Sequence, residues 1–125
     1  MKNKRILIVE DDATLSHSIG FTLRRYGYDV TATRSGREAL ERILQSQLKL
    51  RPLDLLITDI RLPDMTGTEL IGELARRGAL PTTLVMTAYA TAGLFDGLLH
   101  LGVRECLAKP FDIMELVKRV STLLQ

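Results

Sequence analysis

Four short apolar segments of the sequence each run directly into residues that can bind a metal ion or a phosphoryl group. Glu10 and Asp11 follow the run ILIV, and Asp59 follows DLLIT. Thr87 comes after TTLVM, and Lys109 comes after RECLA. Carboxylates, a hydroxyl and an ammonium are groups with which proteins position a phosphoryl group and neutralise its charge. If the four segments are strands of one sheet, these side chains could support phosphoryl transfer.

The three carboxylates predict a magnesium site. Like charges held close together repel, so Glu10, Asp11 and Asp59 would be unfavourable neighbours without a cation. Mg²⁺ takes one or two carboxylates together with water and phosphate oxygens. Asp59 is the natural nucleophile, since an aspartyl phosphate is a known type of covalent intermediate. Two other carboxylates are expected to be structural, because Asp54 opens its strand at the opposite edge and Asp64 lies in a proline-containing turn.

The order of strands and helices decides whether these residues meet. Apolar runs rich in branched residues alternate with longer amphipathic stretches along the chain. The strand candidates are 5–9, 29–33, 54–58, 82–86 and 104–108. The helix candidates are 13–26, 35–47, 67–77, 91–101 and 112–124, and Ser35, Thr66 and Asp112 are expected to cap three of them. Strict alternation predicts an α/β fold with a parallel sheet, because parallel strands need crossover connections.

The polarity of the strands predicts their order in the sheet. The first, third and fourth strands are apolar without alternation, which suits the buried centre, whereas DVTAT is the most polar and suits an edge. The expected fold is a five-stranded parallel sheet in the order 2-1-3-4-5, doubly wound and flavodoxin-like, with five helices. Such sheets bind ligands at the carboxyl ends of the strands where the winding reverses, between the first and third strands. That is where Glu10, Asp11 and Asp59 are expected.

Length and composition fit one domain over residues 1–125. The chain is 46% hydrophobic and 26% charged, and its formal net charge of +2 is too small to indicate a nucleic-acid or anionic-membrane partner. One cysteine cannot form an internal disulfide, and the first apolar run is too short for a signal peptide or a membrane span. These features predict a cytoplasmic protein whose domain neither binds nucleic acid directly nor attaches to a membrane.

Four segments in order, ILIVEDD, LLITDIRLPDMTG, LVMTAYA and CLAKPF, resemble the receiver domain of two-component response regulators. The resemblance covers nearly the whole chain, and the four segments together are highly specific. It implies a phosphoacceptor regulatory domain rather than an enzyme, with no reaction beyond self-phosphotransfer and autodephosphorylation. Asp59 would accept a phosphoryl group from a sensor histidine kinase or a phosphotransfer protein.

The resemblance also implies roles for the other site residues. Its magnesium site would consist of Glu10, Asp11, Asp59 and the backbone carbonyl of Arg61, with Asp11 binding the ion directly and Glu10 holding it through water. Thr87 and Lys109 would each bind a phosphoryl oxygen. The bond between Lys109 and Pro110 is expected to be cis. Arg61 and Tyr89 lie two residues past Asp59 and Thr87, so we expect them to flank the entrance and slow hydrolysis of the acyl phosphate.

The expected output surface departs from the family pattern at one position. Receivers of this family change the surface formed by the fourth helix, fifth strand and fifth helix, which controls an output protein or effector domain and can form a homodimer. An aromatic residue three positions before the lysine commonly takes part, and this sequence has Cys106 there. A pseudo-receiver, kept as an interaction module without phosphorylation, is therefore the alternative function.

Two further alternatives fit the sequence less well. A magnesium-dependent phosphatase resembling the haloacid dehalogenase group would need an acid two residues after the nucleophile, where this chain has Arg61. A flavin or nucleotide module would need a Gly-rich or Ser/Thr-rich phosphate loop after the first strand, where EDD stands. This sequence therefore lacks the residues that either class would require at these positions.

Overall fold

A computed structural model describes residues 3–49 and 51–125, and in these ranges five strands alternate with five helices. The strands are β1 Arg5–Val9, β2 Asp29–Thr33, β3 Leu55–Asp59, β4 Thr83–Thr87 and β5 Glu105–Ala108. The helices are α1 Ala13–Arg25, α2 Gly36–Leu48, α3 Gly67–Arg76, α4 Ala92–His100 and α5 Ile113–Leu123. All strand pairs are parallel, in the order β2-β1-β3-β4-β5, which confirms the predicted fold. Among the helices of the described ranges, none is both long and apolar enough to cross a bilayer.

β3 and β4 lie one residue further along the chain than predicted. Asp59 pairs with Met86, and Thr87 pairs with Ala108, so the sheet includes two residues that were expected to follow it. The predicted strands ended at Thr58 and Met86, whereas backbone pairing continues by one residue in each strand, into Asp59 and Thr87. The backbones of Asp59 and Thr87 are therefore held by the sheet.

Apolar side chains cover both faces of the sheet. Side chains alternate along a strand, so Ile6 and Ile8 of β1 join a cluster with α1 and α5, whereas Leu7 and Val9 join one with α2 and α3. α4 packs beside the second cluster through Leu98. Burial from both sides explains why the apolar residues of the central strands follow one another without alternation. It also makes the sheet a rigid base for the residues at its carboxyl edge.

Each of the five helices described is preceded by a capping residue, whose side chain accepts a hydrogen bond from the backbone of the first turn. These capping residues are Asp12, Ser35, Thr66, Thr91 and Asp112. The three caps predicted from sequence are among them. At α3, Glu69 completes a capping box with Thr66.

α4 contains a glycine that its packing does not require. Beyond its chain neighbours and the backbone of its own helix, a Cβ atom added at Gly97 would meet no atom within 4 Å. Glycine in a helix interior costs roughly 0.5–1 kcal/mol relative to alanine. We expect Gly97→Ala to raise the free energy of unfolding in urea by about that amount. Gly67→Ala is the contrasting variant, because a Cβ there would overlap the backbone oxygen of Asp59, and it should lower the same free energy. Equal effects of the two changes would contradict this interpretation.

Candidate functional site

Glu10, Asp11 and Asp59 come together at the carboxyl edge of β1 and β3. Each offers a carboxylate oxygen, and these three oxygens lie within 4.8 Å of one another. Glu10 and Asp59 are buried, whereas Asp11 is exposed. β1 and β3 are hydrogen-bonded neighbours, so the sheet itself brings the three residues together. Hard oxygen donors at this spacing suit a divalent cation such as Mg²⁺.

Lys109 connects two of these carboxylates. Its Nζ donates hydrogen bonds to Glu10 Oε1 at 2.6 Å and to Asp59 Oδ2 at 2.7 Å. Burial of the ammonium acts to lower the pKa of Lys109, but the hydrogen bonds to Asp59 and Glu10 outweigh this effect and raise the pKa. The side chain is therefore a cation at neutral pH, fixed between the two acids.

Glu10 is held on both of its oxygens. Burial raises the pKa of Glu10 above its ordinary value, against the hydrogen bond from Lys109, which acts to lower it. Oε2 accepts a hydrogen bond from the N–H of Asp12 at 3.0 Å. The Asp12 side chain turns away to cap α1, where it accepts from the N–H groups of Thr14 and Leu15. Asp12 thus has a structural role.

Backbone N–H groups orient the Asp59 carboxylate. Its Oδ1 accepts from Ile60 N–H at 2.6 Å and from Arg61 N–H at 3.3 Å. Its Oδ2 accepts from Lys109. These contacts fix the plane of the carboxylate and place the Arg61 backbone beside it.

Thr87 is buried at the end of β4, the strand next to β3. Its Oγ1 accepts a hydrogen bond from the N–H of Tyr89 at 3.0 Å. Because this bond uses a lone pair of the oxygen, the hydroxyl proton can be donated to another group. Thr87 therefore offers a donor at the same edge as Asp59.

Arg61 and Tyr89 join the two loops that follow β3 and β4. The guanidinium carbon of Arg61 lies 4.2 Å from the centroid of the Tyr89 ring, a cation–π distance. Tyr89 is 57% exposed, so this contact lies at the surface. The sequence predicted that both residues flank the entrance, but it did not predict that they contact each other.

The segment around Lys109 has two further features. The Lys109–Pro110 peptide bond is cis, as expected. Cys106 is half-buried and packs against the apolar cluster that contains Val85 and Leu98. Burial raises the pKa of the Cys106 thiol, so it behaves as a small apolar residue.

The two carboxylates expected to be structural lie away from the acidic cluster. Asp54 Oδ2 accepts from the N–H of Arg5 at 2.8 Å, at the opposite edge of the sheet. Asp64 binds the first turn of α2, with Oδ1 accepting from Gly36 N–H and Oδ2 from Arg37 N–H, both at 2.9 Å. Sequence reasoning placed Asp64 in a turn but missed this contact, since the partners lie far away along the chain and no local pattern marks them.

The Asp64 contact predicts a pH dependence of stability. The N–H groups of Arg37 and Gly36 hold the pKa of Asp64 below its ordinary value. A lowered folded pKa gives stability that is present above the unfolded value, about 3.9, and is lost as the pH falls through the folded value. Urea denaturation should show wild type about 0.5 kcal/mol more stable than Asp64→Asn at neutral pH, since an exposed cap is screened by solvent. This difference should disappear in strong acid, and a difference independent of pH would contradict the prediction.

Comparisons of this chain with known proteins all indicate the same family. A family model described as the response regulator receiver domain matches residues 6–121. The transcriptional regulatory protein CrdR of Helicobacter pylori is 32% identical over 119 residues, which cover 94% of this chain and 54% of that protein. The alkaline phosphatase synthesis transcriptional regulatory protein PhoP of Bacillus subtilis is 31% identical over 125 residues, which cover 98% and 49%. The chain thus spans about half the length of these curated relatives.

Solved structures agree with the sequence comparison. A CheY-like response regulator receiver domain protein from Methanospirillum hungatei is similar with a TM-score of 0.87 at 29% identity, covering 98% of this chain and 94% of that chain. The chemotaxis protein CheY4 of Vibrio cholerae has the same TM-score at 25% identity, with 98% and 100% covered. With a family model that matches nearly its whole length, this chain belongs to the response regulator receiver domain family.

Proposed function

We propose that this domain is a phosphorylation-dependent switch in which Asp59 accepts a phosphoryl group from a phosphohistidine on a sensor histidine kinase or a phosphotransfer protein. One observation carries the proposal: Lys109 holds Asp59 beside two further carboxylates, with the Thr87 hydroxyl on the neighbouring strand. Receiver domains are regulatory, and this arrangement suits phosphoryl transfer, while Arg61 stands where a phosphatase of the haloacid dehalogenase group would need an acid.

The reaction forms one bond and breaks one. A carboxylate oxygen of Asp59 attacks phosphorus, the bond between phosphorus and the imidazole nitrogen breaks, and the nitrogen leaves with the bonding electron pair. The product is an acyl phosphate on Asp59. Lys109 then binds an oxygen of the transferred group in place of a carboxylate oxygen, and Thr87 donates its hydroxyl proton to another oxygen. Both residues act by positioning and by neutralising charge.

The residues that would hold Mg²⁺ are Glu10, Asp11, Asp59 and the backbone carbonyl of Arg61. With all three carboxylates ionised, the single Lys109 ammonium leaves two negative charges uncompensated, which fits a divalent cation. When bound, the ion offsets negative charge on the transferring phosphoryl group. The hard oxygen donors favour magnesium over softer metals.

A small phosphodonor tests the proposal without knowledge of the kinase. The purified chain is incubated with acetyl phosphate, with Mg²⁺ or with a chelator, and its intact mass is measured over time. We expect one phosphoryl group per chain with Mg²⁺ and little without it. An unmodified chain under both conditions would favour the pseudo-receiver alternative, which the Cys106 departure suggests.

The partners follow from the same proposal. A kinase or phosphotransfer protein supplies the phosphoryl group, and the surface formed by α4, β5 and α5 acts on an output protein, an effector domain or a second copy. Arg119 of α5 pairs there with Glu105 and Glu115, which gives this surface a charged network. The names of CrdR and PhoP favour an output in transcription, with no nucleic-acid contact by this domain itself. We place the reaction in the cytoplasm.

The Arg61–Tyr89 pair should set the lifetime of the acyl phosphate. The guanidinium and the ring contact each other on the two loops that follow Asp59 and Thr87, where they would restrict the approach of water to phosphorus. We expect Tyr89→Ala and Arg61→Asn each to shorten the dephosphorylation half-life several-fold, measured by loss of the phosphoryl mass after the donor is removed. Tyr26→Ala is the matched control, since Tyr26 is similarly exposed but lies at the end of α1. Unchanged half-lives in both site variants would refute this role.

A further inference from the structure

The loop between β3 and α3, residues 60–66, carries the backbone of Arg61 past the acidic cluster. Its two ends are tied together, because Gly67 N–H donates to Ile60 O at 2.6 Å and Arg61 forms an isolated antiparallel bridge with Thr66. These bonds close the base of the loop. They do not attach its tip, residues 62–65, to the rest of the domain.

α2 holds the tip. Asp64 contacts the first turn of α2, where its carboxylate accepts hydrogen bonds from the N–H groups of Gly36 and Arg37 at 2.9 Å each. Beside it, Met65 lies so close to Gly36 that a Cβ on Gly36 would overlap the Met65 side chain. Leu62 and Met65 also join the apolar cluster under α2 and α3. Apolar contacts are not directional, so the two hydrogen bonds to Asp64 are what fix the angle of the tip.

The charge of Asp64 suits this attachment. A carboxylate at a helix N-terminus meets the positive end of the helix dipole as well as unpaired N–H groups. The same N–H groups favour the ionised form, so the contact persists at neutral pH. α2 is itself held to the sheet by Ala39 and Ile43, which are buried against β1 and β3. The Asp64 carboxylate thus adds two directional hydrogen bonds to the apolar contacts that Leu62 and Met65 make with the core.

We infer that Asp64 is a positioning residue for the metal site: by attaching the 60–66 loop to α2, it holds the Arg61 backbone where its carbonyl can bind the ion beside Glu10, Asp11 and Asp59. This inference rests on the proposed function, because it needs Mg²⁺ to bind at that cluster. Asp64 is exposed and lies outside the acidic cluster, so it would affect the affinity for Mg²⁺ through the position of the loop and not by binding the ion itself.

Two variants separate anchoring of the loop from capping of the helix. Asp64→Ala removes both the link to the loop and one cap of α2. Ser35→Ala removes a cap of the same helix, since Ser35 accepts from Glu38 N–H, but leaves the loop attached. Mg²⁺ binding to each full chain is measured by calorimetry, and amide hydrogen exchange of residues 60–66 is measured in metal-free protein. Asp64→Asn, which keeps one acceptor oxygen, is the conservative variant.

We expect Asp64→Ala to weaken Mg²⁺ binding about tenfold, the usual scale for a residue that orients a metal ligand, and Asp64→Asn to fall between it and wild type. Exchange in the loop should be faster in Asp64→Ala, while Ser35→Ala should match wild type in both measurements. The inference is overturned if Asp64→Ala binds Mg²⁺ as wild type does, or if Ser35→Ala weakens binding equally. Failure of wild type itself to bind Mg²⁺ would contradict the proposed function and this inference with it.

Discussion

Asp59→Asn is expected to abolish the phosphoryl adduct that acetyl phosphate and Mg²⁺ form on the wild-type chain. An amide oxygen is a poor nucleophile, so no acyl phosphate can form at this position. The change keeps the shape of the side chain, and the amide oxygen can still accept the hydrogen bond from Ile60 N–H. Intact mass at several donor concentrations measures the result.

The matched control is Asp54→Asn, at the opposite edge of the sheet. This variant should be phosphorylated like wild type, even though it loses charge at the contact with Arg5. Circular dichroism of the two variants checks that both remain folded. A phosphoryl adduct on Asp59→Asn equal to that of wild type would mean that another residue is the acceptor.

Lys109→Met is expected to slow phosphorylation by roughly 100-fold to 1,000-fold, the cost of removing a preorganised group that stabilises developing charge. In the present structure the ammonium contacts both Glu10 and Asp59, so its loss also leaves two neighbouring acids without their shared cation. Burial raises the pKa of Glu10 and the hydrogen bond from Lys109 acts to lower it, so removing this bond should raise that pKa further. The initial rate of adduct formation at fixed donor concentration is the measurement.

Lys118→Met is the control for Lys109→Met. Lys118 lies on the exposed side of α5, so its loss changes the net charge equally without touching the site. Its rate should stay within about twofold of wild type, since a distant exposed charge is screened. Equal slowing in both variants would show that net charge, rather than the contact with Asp59, is responsible.

The fold could be predicted because its determinants are local in sequence. The alternation of apolar runs with capped amphipathic segments indicates a parallel sheet, and the polarity of DVTAT places β2 at the edge. The errors concern where pairing ends: Asp59 and Thr87 are the last residues of their strands, because a polar side chain at a strand end does not stop backbone hydrogen bonding.

The contents of the site were predictable as a set of residues, but not as a set of contacts. The ends of β1, β3, β4 and β5 must lie along one edge, so the meeting of Glu10, Asp59 and Lys109 follows from topology. That Lys109 contacts both acids depends on its rotamer. The contact of Asp64 with α2 and the stacking of Arg61 on Tyr89 join separate loops, and such pairs have no signature in the sequence of either loop.

The most direct test of the central proposal locates the phosphoryl group on the wild-type chain. After incubation with acetyl phosphate and Mg²⁺, borohydride reduces an aspartyl phosphate to homoserine with release of phosphate, and peptide mass spectrometry then identifies the altered residue. We predict homoserine at position 59 and at no other aspartate. Modification at Asp11 or at another residue, with an unaltered Asp59, would contradict the proposed site.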